Sequence, residues 1–96
     1  MTVEISGITS NAFERFKQLM DLSVARSLHA SLLRTEWHGT GYRVTAPGVA
    51  AFGRFHDGEV RVKIMMSFPA TLIRATILAD IQRTLRECGC NNLRQI

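Results

Sequence analysis

The chain holds only two cysteines, two prolines, one tryptophan and one tyrosine in 96 residues. Thiols as close as Cys88 and Cys90 exclude a disulfide framework, and reduced thiols are the default. Cys88-Gly89-Cys90 also lacks the CxxC spacing of redox motifs and any second pair to complete a zinc site. Cys88 is expected to pack and Cys90 to have no role. No apolar run approaches the roughly 18 residues of a membrane-spanning helix. Residues 1–7 carry neither the basic nor the apolar region of a secretory signal, so a cytoplasmic location is expected. A Gly-rich phosphate loop, a nucleophile elbow and HExxH or HxH pairs are missing too. His29, His38 and His56 stand alone in sequence. The last two fall near hairpin turns with Glu36 and Glu59, a grouping that reads as solvated turn residues rather than a metal site. We therefore expect a non-enzyme, with no catalytic residue, metal or cofactor.

What is present is ordinary for a globular chain. A 46% hydrophobic fraction is too high for disorder, and the length suits one domain spanning 1–96. Twelve basic residues against eight acidic give a formal charge of +4. Ten of those twelve are arginines, the residue best shaped for bidentate contact with carboxylate or phosphate.

The stretch from Trp37 to Met66 reads as a four-stranded antiparallel meander. Asp57-Gly58 tolerates the positive φ angles of a type I′ turn. That turn sets His56 opposite Glu59, Phe55 opposite Val60, Gly53 opposite Val62 and Ala51 opposite Ile64. A Pro47-Gly48 turn adds Ala46 opposite Val49, Val44 opposite Ala51 and Tyr42 opposite Gly53. A Gly39-Thr40 turn adds Trp37 opposite Tyr42 and Glu36 opposite Arg43. In this register one face is apolar throughout, and a one-residue slip would turn every apolar side chain outward.

Two amphipathic helices flank the meander. Asn11 to Glu14 has the form of a capping box, and Phe13, Phe16, Met20, Val24 and Leu28 recur at helical spacing in a helix expected over about 12–33. A second helix is expected from Ser67-Phe68-Pro69, with Ser67 as cap and Pro69 in the first turn. Ile73, Ile77, Ile81, Leu85 and Cys88 form its stripe, and Gly89 suits the residue just past its end. Thr2–Ser6 alternates as a further strand that Gly7 breaks. Residues 91–96 are expected to fray. The fold class is α+β: a two-layer sandwich with both helices on one face of the sheet.

The outer face of that sheet gathers Arg43, Phe52, Arg54, Arg61, Lys63 and Met65, with Glu36 and Glu59. Arg43 can stack on Phe52, while Arg54 and Arg61 are like-charged cross-strand neighbours. These residues form a candidate binding face, and nucleic acid is one partner they suit. A single aromatic falls short of the stacking pair usual on RNA-binding sheets. A small-ligand carrier would instead require a cavity between sheet and helices. Gly53 and Ala51 are small enough to leave one, and small enough to let a helix pack closely.

Trp37-His38-Gly39, Tyr42-Arg43-Val44, Gly48-Val49-Ala50-Ala51, the Asp57-Gly58 turn, Val60-Arg61-Val62 and a closing helix with Leu72, Ile77, Ile81 and Leu85 together resemble a known family. It is the small polyhydroxyalkanoic acid system proteins, associated with bacterial polyester storage granules. The likeness covers about Leu32 to Leu85 and departs from the family's pattern at Thr40, Ala51 and Gly53. It implies a non-enzymatic protein of granule biogenesis or use, with the granule surface or granule proteins as partners. It brings no catalytic residues with it. A homo-oligomer is compatible with these residues.

Overall fold

In the computed structural model, which describes residues 1–27 and 30–96, the chain is an α+β sandwich. Its elements are β1 (Thr2–Thr9), α1 (Phe13–Ala25), β2 (Arg34–His38), β3 (Gly41–Ala46), β4 (Val49–His56), β5 (Glu59–Met66), α2 (Arg74–Glu87) and β6 (Cys90–Gln95). Short 3-10 turns occupy Ala30–Leu32 and Ala70–Ile73. The strands form one six-stranded sheet in the order β2-β3-β4-β5-β1-β6, and every pairing is antiparallel.

The meander has the register expected from alternation and turns. Phe55 pairs with Val60 and Gly53 with Val62, Tyr42 with Gly53, and Trp37 with Tyr42. Asp57 and Gly58 take φ of 47° and 76°, the double positive φ of a type I′ turn. Inward Val60, Val62, Ile64 and Met66 are all buried, while outward Arg61, Lys63 and Met65 are exposed.

The N-terminal strand runs three residues further than expected, through Gly7 to Thr9. It enters the sheet between β5 and β6, and Ile5 is fully buried. Gly7 does not end it, because it sits where the β1–β6 register shifts, and a Cβ there would lie 2.5 Å from Leu93 Cδ2. The missing side chain lets β6 lie close rather than stopping the strand.

Residues 91–96 are not a frayed tail. Cys90–Gln95 is edge strand β6, and the Ile96 N–H donates to the Glu4 carbonyl at 2.8 Å. Cys90 is likewise part of the core, 2% exposed, as is Cys88.

Both helices start or stop elsewhere than expected. α1 ends at Ala25, its last turn closed by the Arg26 and Ser27 N–H groups on the Leu22 and Val24 carbonyls. Leu32 leaves the stripe and is exposed. The expectations for Leu28 and His29 lie outside the described residues. Asn11 is not the cap: Ala12 holds that position, and the Asn11 side chain donates instead to the Cys88 carbonyl at 3.0 Å. Ser67 does not cap the second helix, because its N–H is still held by the sheet, on the Gly48 carbonyl at 2.9 Å. The chain then crosses to the helix layer through a cis Phe68-Pro69 peptide and the 3-10 turn, leaving Ile73 exposed.

Phe16 and Met20 of α1, Leu85 of α2 and Cys88 just past its end close over the inner residues of β1 and β5. Coverage is uneven. Inner residues of β1 and β5 are buried, whereas Trp37, Val44, Val49 and Ala51 on β2–β4 are only half-buried. That imbalance positions the site below. Among the described residues no helix is long and apolar enough to cross a membrane.

Candidate functional site

Alternation sends the expected residues to one side of the sheet, and the pairings order them into rows. Arg43 lies opposite Phe52, and Phe52 opposite Lys63, which in turn faces Glu4. The Arg43 guanidinium sits 5.7 Å from the Phe52 ring centre. Met65 is exposed between Ala50 and Thr2. Arg54 and Arg61 are cross-strand neighbours, and Ser6 beyond them faces Arg94 of β6. Arg94 was missed because its segment was expected to fray.

The face is not uniformly basic. Arg61 Nε donates to Glu59 Oε1 at 2.7 Å, and its Nη1 lies 3.9 Å from Glu4 Oε1. Carboxylates therefore offset the like-charge pair from within the protein. The histidines make separate exposed pairs, His38 with Glu36 and His56 with Asp57, each at 3.3 Å. Among the described residues no three His, Cys, Asp or Glu side chains converge as metal ligands. Burial pushes the Cys88 thiol up to about 12 and the Cys90 thiol up to about 11, so both stay protonated and poorly nucleophilic at neutral pH.

The inner face carries a second site. Where β2–β4 are half-covered, a half-open apolar cleft of about 530 Å³ lies between sheet and helices. Val44, Val49, Ala51 and Gly53 form its floor. Met20 and Val24 of α1 face it from one side, and Ile77 and Ile81 of α2 from the other. The Gly53–Ala51 stretch has thus left a space rather than drawn a helix down.

Aromatic rings close one end. Trp37 stacks edge-on with Phe13 at 5.6 Å and lies 4.3 Å from Tyr42, while Phe16 lies 5.5 Å from Phe55. Trp37 Nε1–H donates to Asp21 Oδ1 at 2.9 Å, tying β2 to α1.

Tyr42, 7% exposed, also lines the cleft, and its hydroxyl is buried, with no partner within hydrogen-bond distance among the described residues. Burial pushes this phenol up to about 12. The Thr35 side chain beside the hydroxyl draws the value partly back. A buried polar group without a partner costs stability and calls for an explanation.

No family model matches the chain, and no curated protein matches it. Fold and site define a two-layer α+β domain whose antiparallel sheet bears charge outside and an apolar cleft inside.

Proposed function

We propose that this chain is a non-catalytic accessory protein of storage-polyester granules, acting in the cytoplasm at the granule surface. The family resemblance supports this reading, and one structural observation carries it. On the crossing from β5 to α2, Phe68, Leu72 and Ile73 are 77%, 74% and 58% exposed, and Ile73 reaches the rim of the cleft. Three large apolar side chains presented within six residues suit contact with an apolar surface. A polyester offers such a surface, with ester oxygens for the few polar groups near by.

Co-sedimentation with purified polyhydroxyalkanoate granules tests the proposal. The wild type should pellet with granules, and Phe68→Ser/Leu72→Ser should stay in the supernatant while keeping its circular dichroism. A wild type that does not pellet, or a variant that pellets equally, refutes it.

A second reading, a nucleic-acid-binding module, is favoured by the row of Arg54, Arg61 and Arg94. On single-stranded RNA each phosphate contact contributes about 0.7 to the log–log salt slope. Arg54→Gln/Arg61→Gln should then lower its magnitude by about 1.4. Unchanged granule sedimentation in the same variant would place the granule contact elsewhere, at the apolar segment.

A further inference from the structure

We propose that β2 is a dimer edge, pairing antiparallel with β2 of a second copy about a two-fold axis at Thr35, so that Arg34 of each copy lies opposite Glu36 of the other. The sheet has two outer strands, β2 and β6. β6 makes a poor template, because its pairing with β1 shifts at Gly7 and Asn92 takes φ of 54°. Its one charged side chain, Arg94, has no carboxylate on the same strand to meet in a second copy. β2 has neither a register shift nor a positive φ, and Arg34, Thr35, Glu36 and His38 are exposed along it.

The hydrogen-bond phase of the meander decides which main-chain groups β2 offers. The Phe55 N–H donates to the Thr40 carbonyl at 3.0 Å, so Thr40, Tyr42 and Val44 turn their main-chain groups toward β4. Gly41, Arg43 and Thr45 then turn theirs toward β2, where they meet His38, Glu36 and Arg34. Thr35 and Trp37 are left with N–H and C=O directed out of the sheet. An unpaired row of this kind is a template for another strand.

Charge selects the partner and the register. Outward-directed residues must bond to one another, so an antiparallel copy of β2 can be centred on any residue of the strand. Centring on Arg34 stacks Arg34 on itself, and centring on Glu36 stacks two carboxylates. Centring on Trp37 runs Thr35 against Gly39, whose φ of 59° ends the strand. Only Thr35 at the centre brings Arg34 and Glu36 together, twice across the axis. Charge on an edge usually keeps strands apart, but the order Arg-Thr-Glu is complementary to its own reverse. Arg34 makes no ion pair among the described residues, and exposed Glu36 pairs only with exposed His38, at 3.3 Å. On the inner face the same register sets half-buried Leu33 against half-buried Trp37 of the other copy. Both line the cleft, and both lose exposed apolar surface in the dimer.

Such a contact is isologous and closes at two copies. An edge this short makes a small interface, so the dimer is weak and reversible. Sedimentation velocity of the intact chain, from about 10 µM to about 1 mM, tests it in the range of weak association. The sedimentation coefficient should rise with concentration and level off at a dimer. Arg34→Glu and Glu36→Arg each set like charges at both symmetry-related pairs and should weaken the dimer at least about tenfold. Arg34→Glu/Glu36→Arg in one chain restores opposite charges and should dimerise as the wild type does. Thr35→Pro removes an N–H that points out of the sheet, so it should keep its circular dichroism and stay monomeric. If Thr35→Pro does not fold, the three exposed charge variants still decide. A wild type that stays monomeric throughout, a double variant no tighter than the single ones, or a folded Thr35→Pro that dimerises would overturn the proposal. So would assembly that grows past two copies, since β2 would then be pairing with β6.

The dimer goes beyond the granule reading and does not rest on it. Granule sedimentation by a monomeric wild type removes only the dimer, and a dimer that does not pellet with granules removes only that reading.

Discussion

Replacing Trp37 with alanine tests whether the aromatic end of the cleft holds β2 to the helix layer. A fully buried tryptophan truncated to alanine costs about 3–5 kcal/mol. Trp37 is half-buried, so only part of that transfer and cavity cost applies. Its ring pairs with Phe13 and Tyr42 add about 0.5–1.5 kcal/mol each in isolation. The Nε1–H bond to Asp21 is exposed, and its net contribution is about 0.5–1 kcal/mol. These contributions share one side chain and do not sum. We expect a net loss of about 2–3 kcal/mol, roughly 10–20 °C in Tm for a domain of this size. Urea denaturation followed by far-ultraviolet circular dichroism measures it, since the variant has lost its only tryptophan. Asp21→Asn is the control and should cost under about 1 kcal/mol. A Trp37→Ala loss below about 0.5 kcal/mol would show that the ring does not hold the layers together. A loss above 5 kcal/mol would place it in the core rather than beside an open cleft.

Alkaline pH should weaken the fold through its buried thiols. Folding raises Cys88 from 9.0 to about 12 and Cys90 from 9.0 to about 11, chiefly by burial. Their stabilisation is therefore complete below about pH 9 and is lost as pH climbs towards 11–12, at about 1.4 kcal/mol per pH unit for each thiol. Urea midpoints taken between pH 8 and 10.5 should fall in the wild type and fall less in Cys88→Ala/Cys90→Ala; parallel declines would contradict this. Gly7→Val should push Leu93 aside, costing about 1–3 kcal/mol. Hydrogen exchange at the Ile96 amide, which is bonded to Glu4, should quicken first, and an unchanged rate would mean that β6 does not depend on the close approach at Gly7.

How far these features could be read from the residues differs from element to element. In β4 and β5, alternation and the Asp57-Gly58 turn leave one register that gathers Val49, Ala51, Phe55, Val60, Val62, Ile64 and Met66 on a single inner face, and that register is the one found. The outer face followed from it, because alternation assigns Arg43, Phe52, Arg54, Arg61, Lys63 and Met65 to one side once the turns are placed. The helix stripes at Phe16, Met20, Ile77, Ile81 and Leu85 were legible for a similar reason, since 3.6-residue spacing is local.

Contacts distant in sequence decided the rest. β6 is recruited through main-chain hydrogen bonds, which are the same for Cys-Asn-Asn-Leu-Arg-Gln as for any strand, so its polar side chains gave no sign of it. That recruitment brought Arg94 into line with Arg61 and kept Gly7 within a strand. Ser67 has the chemistry of a cap, but Gly48 holds its N–H in the sheet layer and delays α2 to Arg74. The cleft depends on tertiary structure most of all. Gly53 and Ala51 allow either a close helix or a space. Which of the two forms depends on where α1 ends and how α2 crosses the sheet, and both follow from packing over β1 and β5 rather than from any residue in the cleft floor.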